Sequence, residues 1–440
     1  MGQETAEGKL SSPRSAFLIL LMLAGAVAFV ARFAGGLGAT TNLSDNYPWG
    51  LWIVFDLVWI ALAAGAFVTA GIVHLFRAER FHALARPALW LGLISYSLVV
   101  VTLVADLGLP WHFWQLAVQR PEHSAMYEVS WCIALYVTVL LLEFAPAVCE
   151  RFGWERPRQA WSTLSPVYAA VALSFFVYLM SHQAWLALLA LAVFAGLAYL
   201  TRGSARAESV PVILVVAAVA FSTMHQSSLG SLFLLMPDKL SHLWWSPLLP
   251  VHFLLSAIAS GLALVVLVGM SVLEPSRRSD DEDTLASLGK VLGGVLAVYC
   301  AVRAGDLACN GNLHLVAGNK GWLFLLEAIA GGLLPLALLS TDAMRKKRAL
   351  LALGACLTIF GVVFNRLNVV LLGMELPGTM PGGLVGDYRP SLVEWAITIS
   401  LVAAALFLFT AGIKLLPILP AAESREEKGP VRVNRYRGDI

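Results

Sequence analysis

The chain has 440 residues, 59% of them hydrophobic and only 13% charged, with a net charge of +2 and a mean hydropathy of +0.76. Soluble domains carry about 25% charged residues, so this composition excludes an ordinary soluble protein and points to a polytopic membrane protein. Five cysteines, Cys132, Cys149, Cys300, Cys309 and Cys356, stand apart without a CxxC pair, which argues against a cluster, a zinc site or a disulfide framework on this chain.

A polar start with Lys9 and Arg14 precedes an apolar run at 16–34. Its apolar part, 16–31, is long, is followed by Arg32 and leads into more spans, so it reads as an uncleaved anchor. Further runs of the roughly 20 residues that a bilayer requires fall near 50–76, 87–107, 127–149, 161–180, 183–201, 209–229, 247–273, 285–306, 320–340, 348–372 and 392–417. The expected fold is all-α, with about twelve transmembrane helices in one membrane domain over 16–420. A short tail at 1–15 and a basic tail at 421–440 flank it. Only Ser181, His182 and Gln183 separate the fifth and sixth runs. Unbroken, they would form a helix about 60 Å long, twice the hydrocarbon thickness, so a helical hairpin is expected.

Charge placement fixes the orientation. Counting twelve spans puts Arg77, Arg80, Arg86, Arg151, Arg156, Arg158, Arg202, Arg206, Arg277, Arg278, Lys290, Arg345, Lys346, Lys347 and Arg348 on one side. The other side keeps little beyond Arg120, Lys239, Lys320 and Arg389. By the positive-inside rule the first side and both termini are cytoplasmic.

Each polar residue within a run then acquires a depth. Asp56, Asp106, Glu128, His225, His252, Arg303, Asp306, Glu327, Arg366 and Glu394 all fall in the outer third of their runs, whereas Glu143 stands almost alone in the inner part. Helix ends often carry charge, which accounts for Asp106, Glu128, Asp306 and Glu394. Asp56, Glu327 and Arg366 have long apolar flanks on both sides. Such residues face a bundle interior and mark proton or ligand pathways, or form a buried structural ion pair. Tyr47, Trp49, Trp52, Trp111, Trp114, Tyr127, Trp131, Trp244, Trp245, Trp322 and Trp395 crowd the same outer boundary. An aromatic and ionisable layer on one side suits a planar, amphipathic ligand that enters from lipid and exchanges protons, and a quinone meets that description.

Five motifs carry a family resemblance: YPWGLW with Asp56, LEFAPAVCERFGW at 142–154, STMHQSSLGSL at 222–232, FNRLNV at 364–369 and KLLPILP at 414–420. Together they resemble the NrfD/PsrC quinone-interacting membrane subunits, above all the HybB-type subunit of periplasmic uptake NiFe hydrogenases. The resemblance implies a bacterial inner-membrane protein without haem or iron–sulfur cluster of its own. It would receive electrons from a periplasmic ferredoxin-like iron–sulfur subunit, joined to hydrogenase large and small subunits, and reduce menaquinone or ubiquinone near the periplasmic face. HybB-type members read as ten spans, so 161–201 would be an inserted hairpin. No nucleic-acid partner is expected.

Within this frame His225, Asp56 and Asp106 are the expected acting groups, orienting quinone carbonyls or delivering protons. Trp49, Trp52, Glu128, Gln226 and Ser228 are expected to line the pocket, with the serines and Gly230 after His225 letting the backbone turn at ligand depth. Glu143, Glu327 and Arg366 are expected on a proton pathway, although Glu143 can equally pair with a loop arginine such as Arg151. A two-haem cytochrome needs four span histidines; of nine, only His225 and His252 lie within runs, which leaves room for one haem at most. A polysulfide reductase or multihaem complex as partner, and a twelve-helix secondary transporter, remain alternatives. A transporter would show paired repeats and midplane sites, and neither is visible.

Overall fold

The computed structural model describes residues 13–44, 47–119, 124–201, 211–273, 279–375 and 388–419. Most of the N-terminal tail, the basic tail at 421–440 and Arg120, Arg202, Arg206, Arg277 and Arg278 lie outside the described residues. Among the described residues the long elements are all helices: α1 Pro13–Gly35, α2 Leu51–Leu75, α3 His82–Asp106, α4 Ala125–Phe152, α5 Glu155–Ser181, α6 Ala184–Thr201, α7 Val212–Leu232, α8 Leu249–Val272, α9 Ser279–Cys309, α10 Gly321–Leu338, α11 Arg348–Leu372 and α12 Leu392–Leu415.

These helices follow the twelve apolar runs, and eleven of them are long and apolar enough to cross a membrane. The exception is α6, whose 18 residues reach only about 27 Å at 1.5 Å per residue, against a hydrocarbon thickness of about 30 Å. The expected twelve spans are therefore eleven full spans and one shorter apolar helix. The hairpin between α5 and α6 is present: His182 adopts a left-handed conformation (φ 52°) and reverses the chain between them. Helix starts are the poorest part of the sequence reading. The expected starts at 87, 161 and 285 become His82, Glu155 and Ser279, because these helices begin with polar turns that an apolar-run criterion does not register.

Two four-helix bundles form the body. One comprises α2, α3, α4 and α7, the other α8, α9, α10 and α11, and they join through contacts of α8 with α2 and α7. In its most apolar window α2 is 78% buried, against 17% for α1. A helix apolar on every side belongs in the interior, and α2 accordingly sits at the centre. α1 and α12 pair with each other and lean on α3, while α6 packs at the periphery on α5. α5 is more integral than a peripheral insertion: Phe175 packs on Trp131 at 4.9 Å and Phe176 on Phe221 at 5.5 Å.

Glycine sets the closest crossings. A Cβ on Gly65 would collide with the Gly261 backbone, one on Gly261 with the Gly65 backbone, and Gly331 and Gly361 exclude each other's Cβ in the same way. Small residues let backbones approach where lipid leaves no hydrophobic drive between helices.

The cation-rich loops meet at one end. Arg86 bonds Glu150 at 2.9 Å and the Pro417 carbonyl at 2.8 Å, Arg80 reaches Ser287 at 3.2 Å, and Lys346 pairs with Asp283 at 3.0 Å. This gathering supports the alternating path deduced from charge. That end also holds tryptophan, since Trp90, Trp154 and Trp161 line an apolar groove there, so the aromatic asymmetry is weaker than the sequence suggested.

Candidate functional site

At the opposite end the ionisable residues form three groups. The first surrounds Asp56, which enters the interior on α2 because its helix is buried all round. Asp56 is 3% exposed, and neither carboxylate oxygen has a hydrogen-bond partner among the described residues. It lies beside Thr102 and within electrostatic reach of Asp106, which in turn senses Glu394 and Arg32. Arg32, fully buried, donates from Nε to the Ala105 carbonyl and from Nη2 to that of Leu107, both at 2.8 Å. It thus closes the carbonyl end of α3, where a cation is favoured.

Glu394 is a structural residue. Its Oε2 accepts from the Ser391 and Asn42 backbone amides at 2.8 and 3.2 Å and its Oε1 from the Tyr388 hydroxyl at 2.5 Å, while Ser391 Oγ caps the helix. This capping box ties the loop before α2 to the start of α12. Trp52 adds a bond from Nε1 to the Glu394 carbonyl at 3.3 Å. The Tyr388 phenol is held well above its ordinary range by burial and by its bond to Glu394, so it stays a donor.

The second group follows α7 inward. His225 is fully buried and neither ring nitrogen has a hydrogen-bond partner among the described residues. Its ring stands edge-on to Tyr96 at 5.7 Å, and Tyr96 meets Tyr136 in the same way at 4.6 Å. Both phenols lie within hydrogen-bonding reach of the Ser222 hydroxyl, yet among the described residues none of the three makes a hydrogen bond of ordinary geometry. Tyr136 is also within reach of Glu143. Buried polar groups without partners are uncommon and each calls for a reason. Here Asp106, Asp56, His225, Tyr96, Ser222 and Tyr136 are spaced as a file through one bundle, with the buried Glu143, which is not one of the unpartnered groups, beyond its inner end. Counted as far as Glu143, it covers about 10 residues of α3 and 7 of α4, roughly 25 Å at 1.5 Å per residue. Gln226 braces it, donating from Nε2 to the Ile60 carbonyl at 2.6 Å, one turn below Asp56.

In the third group the Glu327 carboxylate is fully engaged, although Arg303 Nε and Arg366 Nε have no hydrogen-bond partner among the described residues. Glu327 Oε1 stands 2.8 Å from Arg303 Nη2 and accepts from Asn365 at 2.8 Å, while its Oε2 accepts from Trp244 Nε1 and Asn368, each at 2.8 Å. Arg366 donates to Asn365 Oδ1 at 2.6 Å and Ser256 Oγ at 2.9 Å and lies 3.7 Å above the Phe253 ring. π-helical turns at Ile329–Leu333 and Asn368–Leu372 begin just past these residues; such turns frequently mark functional sites. His252 contacts Asp306 at 3.5 Å.

Of the expected acting groups, Asp56 and Asp106 come together, and His225 lies deeper in the same bundle. Trp49 is half-buried and packs on Phe233 at 5.3 Å, Glu128 sits in the first turn of α4, and Ser228 is half-buried on α7. Glu327 and Arg366 lie in the other bundle. The backbone does not turn at Ser227–Gly230: α7 continues to Leu232, and Gly230 instead lets the start of α8 approach. No ion pair reaches Glu143 among the described residues; Arg151 donates to the Leu415 carbonyl at 2.7 Å. Tyr96, Tyr136, Ser222 and Arg32 escaped the sequence reading. Their only signal was a phenol or hydroxyl one to three helical turns from an expected site residue, and Arg32 read as a span end.

Fold and site together define a polytopic helical membrane protein with buried ionisable groups concentrated toward one end of two packed bundles. The chain belongs to the NrfD family, whose model, described as polysulphide reductase, NrfD, matches residues 39–377. The match runs from the loop before α2 to just past α11, taking in both bundles and leaving α1 and α12 outside. A protein of Nitratidesulfovibrio vulgaris strain Hildenborough is 29% identical over 93% of this chain and 95% of its own length. The probable Ni/Fe-hydrogenase 2 b-type cytochrome subunit of Escherichia coli K12 is 28% identical over 90% of each chain. The integral membrane subunit of menaquinone reductase from N. vulgaris Hildenborough is 27% identical over 92% of this chain and 91% of that one.

Proposed function

We propose that the chain is the membrane subunit of a quinone-linked oxidoreductase complex in the bacterial inner membrane. It takes electrons from a periplasmic ferredoxin-like iron–sulfur subunit and delivers them to menaquinone or ubiquinone near the periplasmic face. The observation that carries this reading is Asp56, buried without a hydrogen-bond partner beside Thr102 and Asp106 at the end opposite the cationic loops. An ionisable group kept dry and unpaired inside a membrane bundle is expensive and is kept for a ligand or a proton.

Reduction of a quinone to its quinol takes two electrons and two protons. The partner's clusters supply the electrons, and hydrogen oxidised on hydrogenase large and small subunits is the proposed source, as the name of the E. coli relative suggests. Asp56, Asp106 and His225 bind the quinone oxygens or hand them protons, with Trp49, Trp52, Glu128, Gln226 and Ser228 around them. Glu143 admits protons from the cytoplasmic side through Tyr136, Ser222 and Tyr96, which would make turnover electrogenic. A haem is not part of the proposal. Ligation by a histidine pair needs two imidazoles facing one space, whereas His225 faces Tyr96 on α3 and His252 faces Asp306 on α9.

A second reading keeps the site and changes the donor, and the similarity to a menaquinone reductase subunit favours it nearly as well. Replacing Asp56 by Asn or His225 by Ala in the intact complex is expected to lower hydrogen-dependent quinone reduction more than tenfold while hydrogen oxidation with an artificial dye continues. Quinone reduction at the unaltered rate in both variants overturns the site assignment. Copurification with hydrogenase subunits decides the donor.

A further inference from the structure

The second bundle encloses a cavity of about 180 Å³ between α8, α9, α10 and α11. A void of about 150 Å³ lined by aliphatic side chains takes up benzene, so this one has room for a ring-sized group. Its walls are largely apolar, and Leu313 and Leu333, which line it, are 58% and 54% exposed on the outside of the bundle. The cavity therefore communicates with the lipid.

Its chemistry is concentrated where Tyr299, Arg303 and Glu327 line it. Arg303 is 8% exposed, its Nη2 is engaged by Glu327, and its Nε has no hydrogen-bond partner among the described residues. The Tyr299 hydroxyl is within hydrogen-bonding reach of the guanidinium but leaves Nε without a partner among the described residues. A buried donor left unmade costs the full desolvation of the group, so an acceptor is wanted at Nε. Arg303 and Arg366 are set against Glu327 and Asp306, so the donors at the cavity already have carboxylates nearby. That combination selects a neutral carbonyl over the phosphate of a lipid head group. The wall is shaped by the π-helical turn Ile329–Leu333, where Gly331 and Gly332 leave the space open.

We propose that this cavity is a second binding site, for a lipid-soluble molecule of the quinone class whose ring fills the void and whose carbonyl accepts from Arg303 Nε. The assignment rests on the quinone reading above but concerns the other bundle.

The test is photolabelling of the purified complex in nanodiscs with a short-tailed photoreactive naphthoquinone, the labelled peptides being read by mass spectrometry. Label is expected on peptides covering Leu296–Leu313 or Phe324–Leu333, displaced by menaquinone and not by added phospholipid. Gly332→Leu fills the cavity, and Ala304→Phe blocks it from the exposed face of α9 should the first variant fold poorly. Each is expected to reduce this label at least fivefold while label in the first bundle persists. Absence of label from these peptides, label undiminished in both variants, or displacement by phospholipid alone overturns the proposal. In Asp56→Asn the cavity label is expected to remain. Should that variant retain full quinone reduction while the cavity is still labelled, the earlier assignment fails and this one stands.

Discussion

Glu327 and Asp56 are both carboxylates on apolar helices, and the structure treats them in opposite ways. Glu327 has three hydrogen-bond donors and an ion pair with Arg303, all at 2.8 Å, so removing it takes away the carboxylate paired with the buried Arg303. Glu327→Ala is expected to cost about 3–5 kcal/mol, read as a large fall in the detergent-solubilised melting temperature. Beyond the nearby Thr102 hydroxyl, Asp56 has no hydrogen-bond partner among the described residues. Asp56→Asn should leave the melting temperature unchanged or higher while quinone reduction falls, and a destabilised Asp56→Asn would mean that its carboxylate is structural. Tyr136→Phe and Glu143→Gln should fold normally and slow proton uptake from the cytoplasmic side in proteoliposomes more than they slow hydrogen-to-dye turnover. Tyr388→Phe removes a bond to Glu394 and one from the Leu51 amide, at about 1–3 kcal/mol. Because burial raises the Tyr388 pKa, that contribution holds below the ordinary phenol range and is lost only as pH climbs through the raised value. At this scale the sequence marked Asp56, Glu327 and Arg366 by their apolar flanks. It could not separate a satisfied carboxylate from an unsatisfied one, because the donors Asn365, Asn368 and Trp244 come from other helices or loops.

Among the elements, apolar length located every long helix, since burying backbone in lipid leaves the helix as the only open-ended solution. The same criterion missed the polar first turns of α3, α5 and α9 and overestimated α6. The π-helical turns were also illegible, since they depend on how neighbouring helices pack and not on a local residue signature. Among the tightest element contacts is the crossing of α2 and α8 at Gly65 and Gly261. A side chain there meets backbone, which cannot rotate away, so Gly261→Leu is expected to cost at least the 1–3 kcal/mol of ordinary overpacking. Thermal unfolding in detergent measures it, and an unshifted midpoint would mean that the helices can part.

For the whole molecule, the charge pattern anticipated which loops meet: Arg80, Arg86, Arg151, Lys346 and Arg348 all make bonds at one end. Two cations at the other end are held internally, Arg32 at the end of α3 and Lys320 by the Met374 carbonyl at 2.7 Å. The Lys320 pKa is lowered by burial, and both cations are engaged by backbone carbonyls of the protein instead of standing free at that surface. Both termini are expected on the cytoplasmic side, with α6 crossing despite its length. A fluorescent protein fused after Ile440 should therefore fluoresce, and alkaline phosphatase fused there should be inactive; the reverse pair of results would make α6 a helix that does not cross.

The glycine crossing of α2 and α8 bears on what kind of machine this is. Alternating access needs two halves that rock about a yielding seam, and a seam of backbone set against backbone yields little. The two bundles are better regarded as one stiff block than as two halves that rock past each other.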